Sequence, residues 1–258
     1  MEVKIERTET EVSNIEDRYW SRSKERYELF TVEINSKRIL TLYTACDSVM
    51  KKWISEVQKL YRKNKNTFPL IVSLCVDSES MNYYYSRKRL SNNPPYNVIA
   101  LCIGSHCLLY SLPEGFYYDK SYDVKDIPKP LQEFLADSKA IFVGMDIGDV
   151  SKKLEKDQML KVERCVDIRR LGEEVLGYPI WHMKEFSFDE IVKKMLDKRM
   201  EIERLEICDN WYDLESKQYD INKEYVKYLT VDAFFVYEMA VKYVDITTKL
   251  VSSSKKSK

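Results

Sequence analysis

Acidic side chains stand at three places in this sequence where they could hold divalent metal ions. Asp77 and Glu79 follow an apolar run, Asp149 lies near the start of a predicted helix, and Asp232 comes four residues after Tyr228 on the last predicted helix. Residues two apart share a strand face, and residues four apart share a helix face. Mg²⁺ and Mn²⁺ prefer such oxygen ligands.

The rest of the composition excludes several other chemistries. The chain has 258 residues but only 6 glycines, and their positions allow neither GxGxxG nor GxxxxGK[ST]. Dinucleotide-binding loops and P-loops are therefore excluded, because both need closely spaced glycines around phosphate. The chain has 42 basic and 42 acidic residues. This balance excludes a globally basic nucleic-acid coat and an acidic solvating chain.

Thiol and imidazole groups do not indicate a metal or redox site. Cys102, His106 and Cys107 are close in sequence, but no second CxxC or HxxxH follows to complete a zinc tetrahedron. We expect reduced core thiols rather than a disulfide framework, because the chain is long and apolar enough to build a core. The cysteines are at positions 46, 75, 102, 107, 165 and 208.

Charge and apolar patterning predict one soluble, intracellular (cytoplasmic or nuclear) domain with no membrane contact. The N-terminus is charged, and no apolar run approaches the ~20 residues that span a bilayer. We interpret 1–26 as a loosely attached charged arm, 27–250 as the domain and 251–258 as a disordered tail. The oligomeric state is not predicted.

Apolar periodicity predicts three consecutive strands after a hairpin and a helix, then alternating helices and strands, then a long closing helix. This order is typical of a mixed α/β sheet flanked by helices. Predicted strands are 27–34, 38–44, 69–76, 98–103, 107–112, 140–143 and 163–168. Predicted helices are 47–62, 130–137, 149–156, 168–176, 187–199 and 222–249.

Three segments in this order resemble the Werner-type 3′–5′ exonucleases, and the plant single-domain members most of all. They are Leu70–Asp77 (LIVSLCVD), Phe142–Val150 (FVGMDIGDV) and Tyr228–Phe234 (YLTVDAF). The family consists of DEDDy nucleases with a ribonuclease-H-like (DnaQ-like) fold. The resemblance implies that Asp232 binds metal and that Tyr228 orients the attacking water.

The first motif departs from the family pattern. Without a gap, the family's Asp falls on Cys75 and its Glu on Asp77, and a thiol is a soft ligand for hard cations. Sliding the alignment by two residues keeps the strand face and offers Asp77 and Glu79 instead.

The second motif departs as well. Val150 occupies the position of the family's Asp, and Asp149 lies one residue early, which turns a helical side chain by about 100°. A turn one residue shorter would recover Asp149 as a metal ligand. Alternatively, Asp149 is a first-turn acid that favours the helix N-terminus.

A tyrosine and basic cluster follows the first motif. Tyr83–Tyr85 could stack on bases, and Arg87, Lys88 and Arg89 could contact phosphates. The alternative is a solvated loop whose tyrosines pack locally.

The resemblance together with these departures predicts a degenerate exonuclease-like pseudoenzyme with weak or lost nuclease activity that binds nucleic acid or a protein partner. The alternative is an active 3′–5′ exonuclease that uses Mg²⁺ or Mn²⁺ on single-stranded or 3′-recessed DNA or RNA. No other cofactor is expected.

Overall fold

The computed structural model describes residues 3–11, 27–63, 69–77, 96–112, 127–197 and 221–256. These residues contain one mixed sheet with helices on both faces. The strands are β1 (Val3–Glu11), β2 (Tyr27–Ile34), β3 (Lys37–Thr44), β4 (Leu70–Asp77), β5 (Val98–Ile103), β6 (His106–Ser111), β7 (Ala140–Gly144) and β8 (Cys165–Asp167). The helices are α1 (Asp47–Lys63), α2 (Lys129–Leu135), α3 (Ile147–Gln158), α4 (Ile168–Leu176), α5 (Ile180–Met183), α6 (Phe188–Met195) and α7 (Lys223–Lys256).

The strand order in the sheet is β1-β2-β3-β6-β5-β4-β7-β8. Parallel pairs join β3 to β6, β4 to β7 and β7 to β8, whereas β4–β5, β5–β6, β2–β3 and β1–β2 are antiparallel. The C-terminal ends of β4, β7 and β8 therefore meet at one edge of the sheet. This arrangement confirms the predicted mixed α/β sheet.

Strand alternation divides the core into two layers. Val98, Ala100 and Cys102 of β5 face the core under α4, α6 and α7. Ile99 and Leu101 of the same strand face the core under α1, α2 and α3. Both faces of the central strands are buried, which explains why β4 and β5 read as continuous apolar runs.

The predicted elements agree closely with the observed ones. The hairpin β2–β3 turns at Asn35, whose φ of 54° lies in the left-handed region that asparagine tolerates. Every predicted helix and strand has a counterpart, with bounds that differ by a few residues. The short helix α5 was not predicted.

Two predictions at the chain ends are wrong. Residues 3–11 are not a loosely attached arm, because they form β1 and pair antiparallel with β2. Val3 and Ile5 pack against the core, whereas Lys4 and Glu6 are exposed, which is the two-residue period of a strand. The C-terminal segment is also helical as far as Lys256, where a disordered tail was predicted.

No helix in the part of the chain that the structure describes combines the length and the apolar character needed to cross a bilayer.

Candidate functional site

Strand β4 carries the first set of candidate residues on the face covered by α7. Ile71 and Cys75 pack against the core layer that contains Leu229 and Ala233 of α7. Because side chains alternate along a strand, Asp77 belongs to the same face as Cys75. Asp77 ends the strand and is half-buried. The structure therefore brings the β4 candidates into the layer of α7.

Helix α7 carries Tyr228 and Asp232, which are both half-buried and lie one turn apart on one face. The helix begins where predicted, because the Asn222 side-chain oxygen accepts a 2.8 Å hydrogen bond from the Glu224 amide. Tyr228 packs against the core layer that β4 shares with α7. These two residues are thus held by a helix whose inner face is fixed by burial.

A buried hydrogen bond ties α7 to the sheet beside this pair. The hydroxyl oxygens of Thr41 on β3 and Thr230 on α7 lie 3.1 Å apart, and both side chains are fully buried. Two turns further along the helix, Lys37 at the start of β3 forms an ion pair with Glu238. Helix α7 therefore runs antiparallel to β3 and to the strands parallel with it, including β4.

The glycine of the second motif stands where β7 approaches β4. A Cβ on Gly144 would lie 2.6 Å from the carbonyl oxygen of Leu74, closer than real Cβ contacts. Only glycine permits this approach. The Phe-Val-Gly pattern thus has a packing reason that does not depend on chemistry at the site.

The second motif does not present its acid towards α7. The Asp149 side chain is 85% exposed and forms a 3.1 Å ion pair with Lys152. Val150 packs against the core layer under α1, α2 and α3, on the opposite side of the sheet from α7. Asp149 lies in the first turn of α3 and has the local role that the sequence offered as its alternative.

Asp146, which precedes α3, takes part in a different contact. Its φ of 51° places the backbone in the left-handed region, which aspartate tolerates better than most residues. Its carboxylate forms an ion pair with the guanidinium of Arg169 on α4. The Arg169 side chain is only 9% exposed, whereas that of Asp146 is 60% exposed. This pair links the C-terminal ends of β7 and β8.

Asp167 at the end of β8 is a carboxylate whose pKa is changed by its surroundings. Burial raises the pKa of Asp167, and repulsion from Asp146 raises it further, while the backbone amides of Arg169 and Ile147 oppose the shift. Its Oδ1 accepts a 2.8 Å hydrogen bond from the Arg169 amide and caps α4. Asp167 is therefore occupied by a structural role.

The cysteines of β5 and β6 form a buried thiol pair. Cys102 and Cys107 are direct cross-strand partners with fully buried side chains. A hydrogen bond to Cys107, reinforced by burial, raises the pKa of the Cys102 thiol well above its ordinary value. All cysteines in the described ranges are free thiols, and a buried thiol of raised pKa is unreactive.

The described residues do not fit a two-metal centre. Among residues 3–11, 27–63, 69–77, 96–112, 127–197 and 221–256, no three His, Cys, Asp or Glu side chains are grouped closely enough to hold an ion. Asp77, Asp149 and Asp232 therefore do not converge into such a group. The predicted residues Glu79, Arg87, Lys88 and Arg89 lie outside the described residues.

Comparison with known proteins identifies the fold. No protein-family model matches the chain, and no curated protein matches it by sequence. Escherichia coli RNase D, an exoribonuclease involved in structured RNA processing, matches in structure with a TM-score of 0.51 and 15% identity over 80% of this chain. This chain spans only 45% of RNase D.

Two further solved structures resemble the chain more distantly. The EXD2 exonuclease domain, soaked in Mn and Mg, matches at a TM-score of 0.37 and 17% identity, over 83% of this chain and 93% of that one. The catalytic core of RRP6 from Trypanosoma brucei matches at a TM-score of 0.48 and 10% identity, over 83% of this chain and 49% of that one. Of these three matches, the RNase D match has a TM-score above 0.5, and it supports the fold. The chain has the ribonuclease-H-like, DnaQ-like exonuclease fold.

Two features of the fold were not predicted from the sequence. The first is the ion pair of Asp146 with Arg169. Asp146 belongs to the second motif and Arg169 to the Val166–Arg169 segment, but the sequence does not show that the two are in contact. The aromatic segment from Tyr178 to Phe186 was also overlooked, because Trp181 stands between the apolar residues Ile180 and Met183 and gives no separate signal.

Proposed function

We propose that this chain is a degenerate 3′–5′ exonuclease-like protein of the Werner type that binds nucleic acid with weak or absent cutting. One observation carries the proposal. Helix α7 holds Tyr228 and Asp232 in the layer of β4, but that strand carries Cys75 where the resemblance expects an acid. The site thus combines the orienting pair with a soft thiol in place of a hard ligand.

The position of α3 supports the same proposal. Asp149 pairs with Lys152 in solvent, and Val150 packs on the other side of the sheet. Losing properly placed carboxylates should be severe, because two-metal catalysis depends on ion positioning and charge stabilisation. Binding makes smaller demands than cutting, because it needs phosphate contacts and base stacking but no metal geometry.

A second candidate is an active exonuclease that uses Mg²⁺ or Mn²⁺. The pair of Tyr228 and Asp232 favours it, since an unused site has no need for this pair. Asp77, Asp149 and Asp232 would then be the metal ligands, with Glu79 available just beyond β4 and with Arg87, Lys88 and Arg89 on the substrate. Binding to a protein partner belongs to the degenerate candidate, and an intracellular location, cytoplasmic or nuclear, is proposed for both candidates.

A nuclease assay separates the two candidates. The protein is incubated with single-stranded and 3′-recessed DNA and RNA in Mg²⁺ or Mn²⁺, beside an Asp232→Ala control of equal purity. We expect retained binding in a gel-shift assay and little or no shortening. Stepwise shortening that disappears in Asp232→Ala would overturn the degenerate assignment. If no substrate is bound or shortened, both nucleic-acid candidates fail.

A further inference from the structure

Helix α1 is more basic than the helices that follow it. Its sequence, DSVMKKWISEVQKLYRK, has five basic residues and two acidic ones. By contrast, α2, α3, α4 and α6 each have as many acidic as basic residues, and the whole chain has 42 of each. The elements against which α1 mainly packs, α2 and β6, add no net charge. Positive charge is therefore concentrated on α1.

The basic side chains of α1 lie together on its outer surface. Because each residue turns the helix by about 100°, four exposed basic residues fall within a sector of about 100°. They are Lys51, Lys52, Lys59 and Arg62. Lys51 and Arg62 are separated by about 16 Å along the helix axis, at ~1.5 Å per residue. We call these four residues the basic face.

The two acids of α1 do not neutralise the basic face. Asp47 accepts a 2.7 Å hydrogen bond from a tyrosine hydroxyl on β6. Glu56 forms a 2.6 Å ion pair with Lys59, which is the member of the basic face nearest to it in sequence. Within the described ranges, no carboxylate lies within ion-pair distance of Lys51 or Arg62. These two cations are therefore available to an external anion.

The side chains around the basic face select the phosphate backbone of duplex nucleic acid. Trp53 and Tyr61, the aromatic residues of α1, pack against the core layer, so this helix offers no ring on which the bases of a single strand could stack. The apolar side of α1 is buried in the same layer, which excludes its insertion into a lipid surface. A duplex backbone needs only cations that meet its phosphates.

The sheet topology places the start of α1 at the same edge as the candidate site. Strand β3, which leads into α1, is parallel to β6, and β6 is parallel to β4 because both are antiparallel to β5. Thr44 at the end of β3 and Asp77 at the end of β4 therefore lie at one edge of the sheet. They are three strands apart in the sheet, which is about 14 Å at ~4.8 Å per strand.

We propose that the basic face binds the phosphate backbone of a nucleic-acid duplex whose 3′ strand extends to the candidate site. The inference rests on the proposed nucleic-acid function and adds the kind of nucleic acid that is held, which is a duplex with a single-stranded 3′ end. The length of the basic face and the gap to the candidate site add up to about 30 Å. This length corresponds to about nine base pairs at ~3.4 Å per pair.

The test measures the binding of a fluorescein-labelled hairpin, with a stem of about twelve base pairs and a single-stranded 3′ tail, in DNA and in RNA. Fluorescence anisotropy is recorded in EDTA at several salt concentrations, so that no shortening occurs. The Lys51→Gln/Arg62→Gln variant should bind at least about tenfold more weakly at low salt. Its slope of log K against log salt should be smaller by about 2, because each lost phosphate contact lowers the slope by about 1.

A charge-matched variant and a second ligand serve as controls. Lys152→Gln/Lys156→Gln removes two exposed positive charges from α3, whose charges are balanced, and should leave the slope as in wild type. The single-stranded tail alone should bind the Lys51→Gln/Arg62→Gln variant and wild type alike. Circular dichroism checks that both variants fold.

The outcomes separate this inference from the proposed function. A slope lost only in Lys51→Gln/Arg62→Gln would support the inference, whether or not any shortening depends on Asp232. Hairpin binding that this variant retains, or that both variants lose equally, would overturn the inference alone. If wild type binds neither hairpin nor tail, the proposed function fails with it. Binding to phosphatidylserine vesicles that depends on Lys51 and Arg62, without such hairpin binding, would assign the basic face to a membrane and overturn the inference.

Discussion

The two sides of the candidate site differ in how the fold holds their acidic residues. On the α7 side, Tyr228 and Asp232 are half-buried on a helix whose other face is fully packed, and a buried threonine pair ties that helix to β3. On the α3 side, Asp149 is 85% exposed and paired with its own helix neighbour Lys152. Burial holds Tyr228 and Asp232 in place, whereas Asp149 is stabilised by solvent and by the charge of Lys152.

This difference shows which side of the candidate site depends on the rotation of a helix. A ligand position on β4 or α7 keeps its direction whatever residue stands there, because the packed layer sets the backbone. The position at the start of α3 depends on the rotation of the helix, and that rotation turns Val150 into the opposite core layer. Replacing one residue should therefore act differently on the two sides.

Adding an acid on the β4 side should change activity most, whereas the same addition on the α3 side should not. Cys75→Asp introduces a hard ligand on the β4 face and should raise Mn²⁺-dependent shortening of single-stranded substrate by about a hundredfold, the scale of one electrostatic group. Val150→Asp should give no gain, because its side chain would be aimed at the layer under α1, α2 and α3.

Both variants are measured beside wild type after their folding is checked by circular dichroism. A gain in Val150→Asp with none in Cys75→Asp would reverse the comparison and show that the α3 side carries the competent position.

A smaller effect is expected at the ion pair that links β7 and β8. Arg169→Ala should lower the free energy of unfolding by about 2 kcal/mol, because it removes a buried side chain and a charge-assisted hydrogen bond to a half-exposed carboxylate. Lys152→Ala, which breaks the exposed pair with Asp149, should change it by no more than about 0.5 kcal/mol. Urea denaturation measures both. Equal losses would contradict the difference in burial between the two pairs.

The smallest effect concerns pH. Burial, helped by Asp146, raises the pKa of Asp167 in the folded protein, so the folded state binds the proton more tightly than the unfolded state. The contribution of Asp167 to stability therefore falls as pH rises from the unfolded value of about 3.9 through the raised folded pKa. Asp167→Asn keeps the cap acceptor but does not titrate.

The free energy of unfolding of Asp167→Asn should therefore rise relative to that of wild type as pH increases across that window. Above the window the difference should level off. Thermal unfolding at pH 4, 5, 6 and 7 measures this difference. A difference independent of pH would show that Asp167 titrates alike in both states.

Most elements could be predicted because their signals are local. The apolar period of α7 and the continuous apolar runs of β4 and β5 follow from burial of one helix face and of both strand faces. The order of these elements along the chain was enough to predict the mixed sheet. Strand β1 was misjudged because its charged residues, of which Lys4 and Glu6 are exposed, outnumber the two apolar residues that touch the core.

The candidate site was less predictable because the role of each residue depends on the rotation of its helix and on the direction of its side chain. From the sequence one can read that the pair of Tyr228 and Asp232 is present, that a cysteine occupies position 75, and that a valine follows Asp149. That β4 and α7 share a core layer while Val150 packs into the opposite one becomes visible in the folded structure. One residue of helix rotates a side chain by about 100°, and packing against the sheet sets that angle.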